Sequence, residues 1–282
     1  MTGADSASAD GSDTAAEFPS RLNNSTIVIL CAALAIGTWA RFAHLERFDM
    51  DATEALSWTA ASAPNTHEVI QRALWLNPGK LGVHDAALHL WMRVFGDSLF
   101  ALRGLSATLG VISILLTFVV VRELLLRGLS GSDGTETSRN WLAATTALLV
   151  ATNLPMIVQS RYARMYMVLV PAILGQVWFF LRADRIGRWW NYVGLAACSL
   201  LAIATHFTAG SVAAAEVIWL ASTLHAERTD FRNSPRPGRS LKIVGAIAVA
   251  GLILIPILRA PLRVARAYVA GNGFAWIRPP VL

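Results

Sequence analysis

The residues best suited to chemistry crowd one stretch of the chain. Glu46, Asp49, Asp51, Glu54, Glu68, Asp85 and Asp97 all lie in or beside residues 44–98. Asp51 and Glu54 are three residues apart, a spacing that puts both carboxylates on one face of a helical turn. Held at the edge of an apolar segment, such a carboxylate can act as a general base toward an incoming hydroxyl. The same spacing also fits a helix N-terminus, with Asp51 as cap and Glu54 completing a capping box. The two readings are not exclusive. His84, ahead of Asp85, is suited to binding a phosphate or orienting a base, and equally to a solvated loop. Arg161, Tyr162, Arg164 and Tyr166 form a second cluster, in Gln159-Ser160-Arg161-Tyr162-Ala163-Arg164-Met165-Tyr166. Guanidinium forks match phosphate oxygens, and tyrosine rings settle at lipid-headgroup depth. Plain interfacial anchoring would use the same residues.

Other signals are thinner. Arg259, Arg263 and Arg266 recur at helical spacing, a stripe for an anion or for headgroups. No P-loop, GxGxxG or standard metal-ligand spacing occurs, so the reading includes no metal and no cofactor. Cys31 and Cys198 both sit in apolar runs, which offers no disulfide framework.

The elements that carry these residues follow from composition. The chain has 282 residues, 55% of them hydrophobic and only 15% charged, with a mean hydropathy of +0.49. Soluble domains carry roughly 25% charged residues. This excludes a water-soluble enzyme, a disordered regulator and a fibrous protein, and it predicts an all-α polytopic membrane protein. A formal charge of +6 with scattered arginines and no long basic block argues against nucleic acid as a partner.

A span needs about 20 mostly apolar residues. Seven transmembrane helices are expected, near 25–43, 99–121, 141–159, 164–181, 189–205, 207–224 and 242–259. Residues 1–24 read as a disordered cytoplasmic tail, being small, polar and without periodicity. The first apolar run lacks the flanks of a cleaved signal and is expected to remain as an anchor. The whole-chain count of basic residues is even between the two sides. The short loops at 182–188 and 225–242 are strongly basic, which places the N-terminus inside. Residues 44–98 then form an outer loop, too long for a simple connector. Its segments with Val69, Ile70, Ala73, Leu74 and with Leu88, Trp91, Val94, Phe95 predict short amphipathic surface helices. Glu216 and Arg103 fall inside spans, where ionisable groups seek a cavity or a partner.

Several pieces together resemble the GT-C class of integral-membrane glycosyltransferases, in particular the bacterial protein O-mannosyltransferase and lipid A aminoarabinose transferase group. DATEALSW after the first span resembles the family's acidic pair. HDAALHLWMRVFGDSLFALRGLSATLGV is similar to its His-Pro-Pro helix, FG-D/E-S turn and entry into the second span. SRYARMYMVLVP, THFTAG and FAWIRPP resemble later elements, in the family's order. The acidic pair here is D-x-x-E where the family has adjacent residues, so Asp51 and Glu54 both stay candidates for the base.

The resemblance implies inverting transfer of a sugar, mannose first, from a polyprenyl-phosphate donor on the outer face of a bacterial plasma membrane. The acceptor would be a cell-envelope glycan, a lipid or a secreted protein. Asp51, or else Glu54, would accept the acceptor's proton. Arg161, Arg164 and His84 would neutralise the departing phosphate, with Tyr162 and Tyr166 beside it. Family members usually continue with more spans, so further spans are expected beyond this module. The competing readings are a non-catalytic membrane partner, an inactive remnant or a small transporter. A transporter would place paired polar groups near the midplane of related halves, whereas here they collect at one interface.

Overall fold

The computed structural model describes residues 22–77, 80–128, 135–228 and 237–270. The expected tail, up to residue 21, and the FAWIRPP segment lie outside the described residues. Among the described residues all regular structure is helical. The order is α1 (Asn24–Phe42), α2 (Ala52–Ala61), α3 (Thr66–Leu76), α4 (Val83–Phe95), α5 (Leu99–Gly128), α6 (Glu136–Thr152), α7 (Leu154–Ser160), α8 (Tyr166–Arg185), α9 (Trp189–Thr205), α10 (Gly210–Arg228) and α11 (Pro237–Ala270). A 3-10 turn, Phe207–Ala209, joins α9 to α10.

Four of these helices contain stretches long and apolar enough to cross a membrane: Asn24–Phe42, Leu99–Leu126, Tyr166–Arg185 and Gly238–Arg259. The pair α6 and α7 makes a fifth candidate, although it bends by 60° between Thr152 and Leu154. Trp189–Thr205 and Phe207–Ser222 are apolar but shorter.

The span expected over 141–159 is broken at Asn153, and the cause is local. Pro155 has no N–H to donate back along the helix. Asn153 instead caps α7, its side chain accepting from the Met156 N–H at 3.1 Å. The carbonyl of Ala151, four residues before Pro155, is thereby left without its helical donor. Arg41 supplies one. Its Nη1 donates to the Ala151 carbonyl at 3.0 Å and to Gly37 of its own helix at 3.1 Å. Its Nη2 reaches the Val150 carbonyl at 3.4 Å.

Arg41 is fully buried, and the hydrogen bonds of its guanidinium all run to backbone oxygens at the ends of helices. A helix C-terminus carries partial negative charge, which makes it a natural seat for a cation. Small residues make the room. A Cβ at Gly110 would come within 2.6 Å of the Ser160 Cβ and 2.9 Å of the Arg41 Nε. Around this junction α1, α5 and α6 pack through Ala33, Ile114, Phe118, Ala143, Ala144, Ala147 and Ala151. Alanines let helix backbones approach closely where apolar burial supplies little net drive.

A second cluster, with Phe180, Leu181, Leu195, Leu220 and Ile243, ties α8, α9, α10 and α11 together. Beside it, Gln176 Nε2 of α8 donates to Glu216 of α10 at 2.9 Å, giving that buried carboxyl a partner.

The loop after α1 folds into three short helices, α2 to α4. Val69, Ala73 and Leu74 of α3 face inward as their spacing predicts, while Ile70 of the same expected stripe is exposed at its edge. On α4 the buried face is instead His84, Asp85, Leu88 and His89, while Val94 and Phe95 are exposed. On this inward polar side His89 Nδ1 donates to the Ala61 carbonyl at 2.8 Å, and His84 lies 3.7 Å from Asp85. Leu90, Val94 and Phe95 then remain as an outward apolar rim, the arrangement of a helix lying at a lipid surface.

Replacing Arg41 by Met strands the Ala151 carbonyl in a buried site, and an unsatisfied buried group costs about 1–3 kcal/mol. We expect Arg41→Met to lower stability by about that amount in detergent unfolding followed by circular dichroism, with helix content at the start unchanged.

Candidate active site

The site is built around one carboxylate. Asp51 has extended backbone (φ −72°, ψ 152°) and caps α2. Its side chain accepts from the Thr53 N–H and from the Glu54 N–H, while Glu54 Oε2 accepts from the Asp51 N–H at 3.2 Å. The capping box of the sequence reading is therefore present in full.

The two acids have very different surroundings. Glu54 is wholly buried. Arg103 of α5 grips it with both edges of its fork, Nε to Oε1 at 3.0 Å and Nη2 to Oε2 at 2.7 Å. The Ala163 N–H donates to Oε1 as well, at 2.8 Å. Arg103 also donates to the carbonyls of Leu45 (2.8 Å), Phe48 (2.9 Å) and Asp49 (3.0 Å). A guanidinium has five N–H donors, and all five are used. Glu54 thus has four donors on it and no open oxygen for a substrate.

Asp51, by contrast, is exposed at the start of α2. Hydrogen bonds from the Thr53 side chain and N–H hold its carboxyl below the usual carboxylate range, helped by the Glu54 N–H and the charge of Arg164. A depressed carboxyl keeps its charge at every pH above the ordinary carboxylate value of about 4. Its contribution to stability is likewise present above that value and lost only as pH falls through the folded pKa.

Two basic side chains share this neighbourhood. Arg164 Nη1 donates to the Thr53 carbonyl at 3.0 Å, two residues from Asp51. Lys80, in the turn before α4, is pushed down to about 8 by burial and by the charge of Arg164, with Asp85 opposing. Lys80 Nζ donates to Asn77 Oδ1 at 3.4 Å. Arg164 therefore acts electrostatically on both Asp51 and Lys80. Arg164 stands beside the exposed carboxylate of Asp51 and also beside Lys80, and neither cation has a carboxylate hydrogen-bonded to it, which leaves charge and donors for an anion.

The remaining residues singled out in the sequence are placed as follows. Arg161 donates to the carbonyls of Ala40 (3.0 Å), Ala43 (2.7 Å) and His44 (2.9 Å) at the end of α1. His44 has φ +52° there, the left-handed turn that closes the helix. Arg161 so straps the α7–α8 junction to α1, and burial and the charge of Arg103 bring its guanidinium below its ordinary value. Tyr162 is partly exposed, its ring centroid 6.0 Å from the Arg103 guanidinium carbon. Tyr166 is exposed on the first turn of α8. His84 is buried, with Nδ1 3.7 Å from Asp85 Oδ1, and it does not reach the surface beside Asp51.

Asp51, Glu54, Arg161, Tyr162 and Arg164 are therefore brought together, whereas His84 lies inside. Lys80 is the residue that sequence reasoning missed. One signal was available: the chain has only two lysines, and this one directly follows Pro78-Gly79 in the sequence. Among the described residues no group of three His, Cys, Asp or Glu side chains is placed to hold a metal ion.

Comparison with family models, with curated proteins and with solved structures finds no match to this chain. The site must be judged on its own geometry.

Removing one partner of a buried ion pair leaves the other uncompensated, at a cost of about 3–5 kcal/mol. Arg103→Leu should therefore unfold at markedly lower denaturant than wild type, and a double Arg103→Leu, Glu54→Leu variant should regain part of the loss. Equal midpoints for the three proteins would contradict the role given to this pair.

Proposed function

We propose that this chain is a membrane-embedded glycosyltransferase that moves a sugar, mannose first, from a polyprenyl-phosphate donor to a hydroxyl of a cell-envelope or secreted acceptor. The single observation that carries the reading is the exposed, ionised Asp51 beside Arg164, which in turn neighbours Lys80. Glycosyl transfer from a phosphate donor asks for this combination: a base for the entering hydroxyl and cations for the leaving phosphate. The order of sequence elements shared with the GT-C class supports it. In this reading the chain has seven spans, with α9 and α10 completing the five candidates. The N-terminus is cytoplasmic, and α2 to α4 lie on the outer face of a bacterial plasma membrane.

The roles follow from the contacts. Asp51 takes the proton from the acceptor oxygen as that oxygen bonds to the anomeric carbon. The bond from that carbon to the phosphate oxygen breaks, and polyprenyl phosphate leaves with the electron pair. Arg164 and Lys80 face the charge that develops. Glu54 and Arg161 are fully engaged with arginine and backbone partners, so they position and do not react. Tyr162 and Tyr166 sit at the rim where the donor's headgroup would rest.

Asn caps helices about as well as Asp, so Asp51→Asn removes the base and keeps α2. Transfer in membranes supplied with polyprenyl-phosphate mannose should fall by about 10²–10⁴-fold, the usual share of general-base catalysis. Activity unchanged at matched expression would end this reading.

Lys80 carries its charge below about pH 8 and loses it above. Donor affinity should therefore weaken as pH rises past that value. Lys80→Arg, charged throughout, should keep its affinity at the alkaline end, as a titration of polyprenyl-phosphate donor binding would show.

A further inference from the structure

Away from Asp51, the second half of α2 and the outward side of α3 enclose an open groove of about 740 Å³. This lies within the range of small-molecule sites, roughly 300–1,000 Å³. Its polar lining comes from Thr59, Glu68, Gln71 and Arg72, and its aromatic lining is Trp75, whose side chain is 57% exposed.

The polar groups are already oriented. Arg72 Nη2 donates to Glu68 Oε1 at 2.6 Å, and its Nη1 reaches the Thr59 carbonyl at 3.5 Å. Gln71 Nε2 is held by His67 at 2.9 Å, which leaves its amide oxygen open.

We propose that this groove binds the neutral saccharide part of the acceptor. Three planar polar groups, a carboxylate, an amide and a guanidinium, offer acceptors and donors in pairs, the pattern that adjacent sugar hydroxyls match. The indole of Trp75 covers the apolar C–H face of a pyranose ring. An acyl chain would take Glu68, Gln71 and Arg72 out of water and offer them no hydrogen bond beyond those they already make to one another, His67 and Thr59. A phosphate would meet an arginine whose charge Glu68 already offsets. The inference rests on the transfer reading for its link to Asp51. Thr59 follows Asp51 by eight residues on the same helix, about 12 Å along its axis, so a short saccharide lying along α2 brings a terminal hydroxyl to the base.

The test measures binding separately from transfer. The full chain in nanodiscs is offered mannotriose and cellotriose, with saturation-transfer NMR as the readout and decanoate as competitor. Wild type and Asp51→Asn should bind at least one trisaccharide equally well. Trp75→Ala and Gln71→Ala, checked for native helix content, should each weaken binding by about tenfold, in line with truncating a central aromatic or polar contact. Trp75→Phe should recover part of the loss. No binding by wild type, equal binding by every variant, or displacement by decanoate would each overturn the proposal. Trisaccharide binding without transfer from any polyprenyl-phosphate donor would keep the groove and remove the transferase reading. Transfer with an unchanged acceptor KM in Trp75→Ala would do the reverse.

Discussion

The loop after α1 depends on a single buried ion pair. Taking a carboxylate and a guanidinium out of water costs several kcal/mol per ion. Glu54 and Arg103 offset this only because nothing on either is left unmatched: five donors from the arginine, four donors onto the acid. Those contacts reach the end of α1, the start of α2 and the strap before α8. Asp51 is a neighbour of Arg164 and Tyr162 because Glu54 joins the start of α2 to the α7–α8 junction through Arg103 and the Ala163 N–H.

This gives the two acids of the D-x-x-E pattern a division of labour. Three residues apart they share a helical turn, yet one points into the protein and is saturated, while the other faces out and is ionised. A carboxylate that fixes geometry has no oxygen to spare for a reaction. A carboxylate that reacts needs one. The structure engages both oxygens of Glu54 and leaves Asp51 exposed, which favours Asp51 for the proposed role of base.

Much of this was legible in the sequence. Hydrophobic content gave the helical class, and the spacing of Asp51 and Glu54 gave the cap. The cluster from Arg161 to Tyr166 was visible because arginine and tyrosine are conspicuous in an apolar chain. What stayed hidden were contacts between segments distant in sequence. Arg103 reaches Glu54 across 49 residues, and no local pattern announces such a pair. Lys80 was passed over because a lone lysine in a turn looks solvated until its burial and its neighbour Arg164 are seen. The stripe expected on α4 failed for another reason: periodicity assumes the apolar side goes inward, and at a lipid boundary either side can be covered. His84, read as a phosphate ligand or a solvated loop residue, is instead buried on the first turn of α4, a placement set by packing between elements.

The seat of Arg41 bears on how the chain is made. Its partners at Val150 and Ala151 lie 109 and 110 residues further along. Gly37 of its own helix is the one acceptor that α1 itself provides. The others exist in their present form only because α6 stops before Pro155. The seat of the first helix is therefore completed by a contact of long sequence separation, and such contacts form late because the intervening loop must close first.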